Sequence, residues 1–202
     1  MTGSELQAKL SRLAPEDLSR PVSDRKVFVD MDGVIADFVG GVIAAHKRSV
    51  YDDPAHYGKF DIEKIWGIKV EEFWEPLDSY EFWRGLAKTP EADRIVYIVT
   101  KKFGAENVAI LTAPSESRFC VPGKRDWIAE HYPVFKNRMI FGSAKEFLAG
   151  PDRVLIDDRD KNAEVFEAAG GVSVLVPRLW NKRHPWARLA SEVVYKEVAE
   201  IT

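Results

Sequence analysis

With 202 residues, 46% of them hydrophobic, the chain is long enough for one domain, or for one domain carrying an insertion, and needs no covalent staples. Its single cysteine, Cys120, excludes an internal disulfide framework and a cysteine-based zinc site. Lysine and arginine number 29 against 32 acidic residues, a net charge of −3, which gives no electrostatic reason to expect a nucleic-acid partner. No run approaches the ~18 consecutive apolar residues of a membrane span, so a soluble protein of a reducing, cytoplasmic compartment with no membrane partner is expected. Oligomeric state is not readable.

Residues 1–24 are polar, with Leu6, Leu10 and Leu13 at helical spacing, and read as a short amphipathic helix and linker. Residues 26–30 form a β-branched and aromatic run ending in acid, the pattern of a buried strand. Residues 40–88 contain nine aromatics and no clear strand, and read as a helical insertion over the sheet. Residues 94–102 are rich in Ile and Val, yet Thr89-Pro90-Glu91 is a good helix start and Gly104 a good stop. We therefore expect a crossover helix. Strands follow at 107–112, 138–141, 153–157 and 172–176. Helices are expected at 126–132, stopped by Pro133, at 143–148, capped by Ser143, after Asp160 up to Gly170-Gly171, and at 186–201. Strands alternating with helices imply an α/β fold: a Rossmann-like, mainly parallel sheet. The expected division is an extension at 1–24, a core at 25–39 and 89–202, and a small helical cap at 40–88, inserted after the first strand and opening about 38–41 and 86–90.

The chemistry-bearing residues stand at strand ends. Asp30-Met31-Asp32-Gly33-Val34 follows the first strand directly. Two carboxylates spaced i, i+2 at that edge repel unless a cation intervenes, which implies a hard divalent metal such as Mg²⁺. Gly33 permits a sharp turn and close approach to an anion. Thr112 ends the second strand, Lys145 opens a helix after the third, and Asp157-Asp158 ends the fourth. A parallel sheet gathers these edges, and such a set suits phosphoryl transfer.

Asp30-Met31-Asp32-Gly33-Val34, Thr112, Lys145 and Asp157-Asp158, in this order, resemble the four motifs of the haloacid dehalogenase (HAD) superfamily. The resemblance implies that Asp30 is the nucleophile forming an aspartyl-phosphate and Asp32 the general acid and then base. It implies that Thr112, Ala113 and Lys145 hold the phosphoryl group. Asp30, Asp32 through its backbone carbonyl, and Asp157 or Asp158 would hold Mg²⁺. Within that superfamily, the run Asp30 to Phe38, the Leu111-Thr112-Ala113-Pro114 turn, Lys124-Arg125-Asp126-Trp127-Ile128 and Ile156-Asp157-Asp158-Arg159 are most similar to the 5′(3′)-deoxyribonucleotidases. That likeness implies a cap after the first motif, with Phe38 and cap aromatics, among Trp66, Trp74 and Trp83, holding a nucleobase. The expected reaction is Mg²⁺-dependent hydrolysis of a small phosphomonoester, a (deoxy)nucleoside monophosphate. The alternatives are a HAD phosphatase for another small metabolite, or a non-catalytic HAD-fold binding protein.

The chain departs from that pattern at Ala113, where mammalian members carry a phosphate-binding serine, and at Glu116, where they carry a lysine. Glu116 would instead favour a substrate amine, hydroxyl or base edge. Lys124 reads either as an ordinary helix-start residue or as a phosphate ligand. Arg159 either covers the Asp157-Asp158 charge or touches substrate. The aromatics of 40–88 serve either a mini-core or a base pocket. The basic segment 177–185 reads as a solvated loop. None of the four histidines shows metal-ligand spacing.

Overall fold

The structure, a computed structural model, describes residues 25–202. The helix expected around Leu6, Leu10 and Leu13 lies outside the described residues. Five strands, β1 (Lys26–Val29), β2 (Val108–Thr112), β3 (Met139–Phe141), β4 (Arg153–Asp157) and β5 (Val172–Leu175), form one sheet in the order β3-β2-β1-β4-β5. Every pairing is parallel, with Val27 opposite Val108 and Val154, and Ile110 opposite Met139. The chain builds outward from β1 through β2 to β3, then returns to the other side of β1 for β4 and β5. The switch point of the topology, where open α/β sheets bind ligands, therefore lies at the C-terminal ends of β1, β2 and β4.

Strand alternation divides the core between the two faces. Val27, Val29, Ile110, Val154 and Ile156 pack with α5 (Ala92–Phe103), α6 (Cys120–His131) and α8 (Ala190–Glu200). Phe28, Leu111 and Leu155 point the other way, toward Phe166 of α7 (Asp160–Ala168). The Ile- and Val-rich segment is helical, as expected, because Ile95, Ile98 and Val99 share one buried face and Gly104, at φ +81°, ends the helix.

Other boundaries shift for physical reasons. Helix α6 begins at Cys120 rather than 126, because Pro122 falls in its first turn, where a backbone N–H has no partner to lose. The turn at Lys145–Leu148 is a 3₁₀ helix whose N-cap is Ala144, so Ser143 caps nothing. Asp160 is the first residue of α7 rather than its cap, and its carboxylate accepts from Lys182 N at 3.1 Å. The closing helix begins as a 3₁₀ turn, His184–Leu189.

Between β1 and α5 lie four helices, α1 (Phe38–His46), α2 (Ile62–Trp66), α3 (Val70–Trp74) and α4 (Tyr80–Arg84), joined by 3₁₀ turns. Their apolar residues Val42, Ile62, Trp66, Phe73 and Leu77 form a second core, which also takes in Trp180 from the loop after β5. The chain enters and leaves this layer side by side: Asp37 N donates to Ala87 O at 2.8 Å, and Ala36 bridges Lys88. Among the described residues, no helix is long and apolar enough to cross a membrane.

Candidate active site

The turn after β1 is shaped by backbone. Asp30 N donates to Ile156 O at 2.9 Å, extending the β1–β4 ladder, and Ala36 N closes the turn onto Met31 O at 2.8 Å. Gly33 takes φ +73°, and a Cβ there would sit 2.1 Å from Asp158 Oδ2. Only glycine combines that conformation with that approach.

Asp30, Asp157 and Asp158 are buried, with one carboxylate oxygen of each within 4.8 Å of the others. Lys145, also buried, places Nζ 2.8 Å from Asp30 Oδ1 and 2.7 Å from Asp157 Oδ2. Both oxygens of Asp157 are occupied: Arg159 N donates to Oδ1 at 2.9 Å, and Asn162 Nδ2 reaches each oxygen at 3.1 Å. Asp158 Oδ2 accepts from Trp180 Nε1 at 2.6 Å.

Lys124 is 0% exposed and its three ammonium protons find three acceptors: Asp32 Oδ2 at 2.6 Å, Thr112 Oγ1 at 2.8 Å and Ala113 O at 2.8 Å. It is no helix-start residue; it stands inside α6 and fastens Asp32 to the end of β2. Its Nζ also lies over the Trp83 ring, 5.2 Å from the centroid.

Two ammonium groups thus face four carboxylates. Among the described residues Asp32 Oδ1 is buried without a hydrogen-bond partner, and Asp30 Oδ1 is buried with only the Lys145 ammonium, 2.8 Å away, beside it. Burial pushes the Asp30 carboxyl up to about 7, against the pull of Lys145 and with the charges of Asp157 and Asp32 adding to the rise. Asp158 is likewise raised well above the carboxylate range, first by burial and then by Asp157 and Asp30, while Trp180 and Arg178 oppose the rise. Burial works against the Lys145 charge, but Asp30 and Asp157 outweigh it and hold the ammonium above its usual range. An unpartnered carboxylate oxygen, mutual repulsion and an all-oxygen donor set fit a hard cation, so the cluster can hold a metal.

Beside it opens a cavity of about 430 Å³ whose lining includes Asp30, Asp32, Lys145 and Asp158 together with Phe38, Phe73, Trp74 and Trp83. Phe38 stacks on Trp83 with centroids 5.8 Å apart and planes inclined 17°, and lies 6.2 Å from Trp74. Trp66 is not on the wall; it belongs to the second core. Ala113 lines the cavity, whereas Thr112 is fully buried with Oγ1 on Lys124. Arg159 lines it too, its guanidinium 4.3 Å above the Phe60 ring, and among the described residues it forms no ion pair with Asp157 or Asp158. Glu116 stands apart: it is exposed, on a neighbouring hollow beyond Trp74.

Sequence reasoning passed over Asn162, Trp180 and Arg178, and left the burial of Lys124 undecided. A signal for Lys124 existed. Cys120, Lys124, Trp127 and Ile128 recur at helical spacing, which places the lysine on the apolar stripe and so points it inward.

A doubly flanked parallel sheet carrying this acid–lysine cluster at its switch point defines a HAD-fold hydrolase of phosphoric monoesters. A HAD family hydrolase from Deinococcus radiodurans, crystallised with bound phosphate and sodium, shares the fold: TM-score 0.51, 15% identity, covering 82% of this chain and 87% of that one. More particularly, the chain belongs to the family described as 5′ nucleotidase, deoxy (pyrimidine), cytosolic type C, whose model matches residues 24–193. The human cytosolic-type 5′(3′)-deoxyribonucleotidase is 30% identical over 149 residues, 67% of this chain and 71% of that protein. The mouse mitochondrial 5′(3′)-deoxyribonucleotidase is 28% identical over 174 residues, 78% of this chain and 71% of that protein.

Proposed function

We propose that the protein is a Mg²⁺-dependent, cytoplasmic 5′-nucleotidase that dephosphorylates (deoxy)nucleoside monophosphates through a phosphorylated Asp30. The observation that carries this reading is one cavity lined by both a phosphoryl-transfer cluster and aromatic side chains. Bases stack on such faces, and the two kinds of lining suit the two halves of a nucleotide.

An Asp30 carboxylate oxygen attacks phosphorus as the ester P–O bond breaks, and Asp32 gives its proton to the departing nucleoside oxygen. Asp32 then takes a proton from water, whose oxygen attacks phosphorus, releasing orthophosphate and restoring the Asp30 carboxylate. Lys124 orients Asp32 throughout, and with all three protons committed to protein acceptors it is a positioning residue. Lys145 holds the phosphoryl oxygens, and Thr112, buried off the cavity wall, serves the site by holding Lys124. The metal, held by Asp30, Asp158 and the Asp32 carbonyl, would neutralise phosphoryl charge. Asp158 suits that role better than Asp157, whose oxygens are engaged by Lys145, Asn162 and the Arg159 amide. Phe38 and Trp74 hold the base, backed by Trp83, which is itself buried in the main core, with Arg159 at the rim, and residues 40–88 act as a cap over the core of 25–39 and 89–202.

Ala113 on the wall offers no hydroxyl to phosphate, which leaves room for another small phosphomonoester. The exposed position of Glu116 removes it from the phosphate end. A panel of 5′- and 3′-(deoxy)nucleotides, sugar phosphates and an aryl phosphate, each with Mg²⁺, tests the assignment. Preference for nucleotides supports it; turnover confined to sugar phosphates overturns its nucleotide part.

A further inference from the structure

The segment 177–185 is not a solvated loop. Arg178 is buried, with Nε donating to Gly33 O at 2.6 Å, Nη2 to Val34 O at 3.3 Å and Nη1 to Glu91 Oε2 at 2.9 Å. Asn181, 0% exposed, donates Nδ2 to Asp158 O at 2.7 Å and to Val176 O at 2.8 Å. Between them Trp180 faces two ways. Its indole N–H is given to Asp158 Oδ2 at 2.6 Å, while its ring packs in the second core and lies 5.8 Å from the Tyr51 ring. One further bond ties the segment to the helical layer, Gly58 N donating to Leu179 O at 2.8 Å.

We infer that Trp180 is a positioning residue that couples the seating of the 40–88 layer to the orientation of the metal-binding carboxylate of Asp158. A carboxylate on a short side chain has two free torsions. A buried N–H fixed on Oδ2 restricts that freedom and so orients the carboxylate as a whole. Because the indole belongs to the apolar cluster of the helical layer and lies against Tyr51, packing of the layer helps to seat the donor. Layer and metal site are thereby linked through one hydrogen bond. The inference rests on the proposal that the Asp30–Asp158 cluster holds Mg²⁺.

The test is Mg²⁺ affinity, read by calorimetry on the full chain without substrate, for wild type, W180F and Y51L, with the metal-free melting temperature of each recorded. W180F keeps an aromatic ring in the layer and loses the donor; Y51L keeps the donor and loosens its seat. The expected result is Mg²⁺ binding about tenfold weaker in W180F, and weaker by a smaller factor in Y51L. A merely structural tryptophan would lower the melting temperature and leave the affinity alone. Wild-type affinity in a folded W180F overturns the inference. Should W180F not fold, unchanged affinity in Y51L overturns it. Failure of the wild type itself to bind Mg²⁺ defeats the metal reading and this inference together, a result distinguishable from binding that the variants leave unaltered.

Discussion

Replacing Lys124 by methionine, which keeps the length of the side chain and removes its charge and donors, strands Asp32 Oδ2, Thr112 Oγ1 and Ala113 O at once. All three bonds come from an ammonium, and a bond to a charged group contributes about 1.5–3 kcal/mol. Asp32 retains 27% side-chain exposure, so water replaces part of its lost partner, and removing a fully buried charge relieves its desolvation cost, which together leave a net loss of about 3 kcal/mol. For a domain of this size, 1 kcal/mol moves the melting temperature by roughly 2–4 °C, so K124M should melt about 6–12 °C below wild type. Activity should fall further than stability, because Asp32 loses the contact that aims it at the cavity. Thermal unfolding together with turnover of the preferred substrate at a temperature where both proteins are folded gives the answer. A K124M protein that melts within a degree or two of wild type and turns over normally would refute the assignment of Lys124 as the fastener of Asp32.

Two other expectations follow from the same geometry. Asp30 is held up to about 7 in the metal-free protein, above its unfolded value, so the folded state carries an extra proton. Its contribution to metal-free stability is fully present below about pH 4 and is lost as pH rises through about 7, while Mg²⁺, which must displace that proton, binds more tightly over the same rise. Calorimetric titrations between about pH 5.5 and 8 read this directly, and an affinity flat across the window would contradict it. Trp74 is 37% exposed, so W74A should fold; loss of its stacking face should raise KM for nucleotides by about 5–100-fold while leaving hydrolysis of a small aryl phosphate unchanged. An equal loss on both substrates would place Trp74 in the fold rather than in base recognition.

The parallel sheet was legible because its central strands β1, β2 and β4 are buried on both faces and so appear as apolar runs, each closed by a polar residue that the topology then collects. Asp30, Thr112 and Asp157 could be placed together from that rule alone. What escaped was tertiary. Trp180 lies in a stretch with three nearby basic residues, Arg178, Lys182 and Arg183, and basic stretches are commonly solvated; nothing local says that Arg178 will be buried against Gly33 and Val34 carbonyls. Pro122 stands in the first turn of α6, where it costs no hydrogen bond, so the helix starts earlier than 126 and carries Lys124 inward. The aromatics of the helical layer divide by packing that periodicity cannot resolve: Trp66 goes to the second core, Trp74 and Trp83 to the cavity wall, and Phe73 serves both. Asn162 was missed because its partner, Asp157, is set only by the β4–α7 turn.

The central claim is that an Asp30 oxygen takes the phosphoryl group. Turnover of the preferred nucleotide by D30N, measured with saturating Mg²⁺ alongside its melting curve, tests it most directly. The account predicts a folded protein with activity reduced by at least about a thousandfold, since an amide cannot replace the attacking carboxylate. Turnover at the wild-type rate would contradict it.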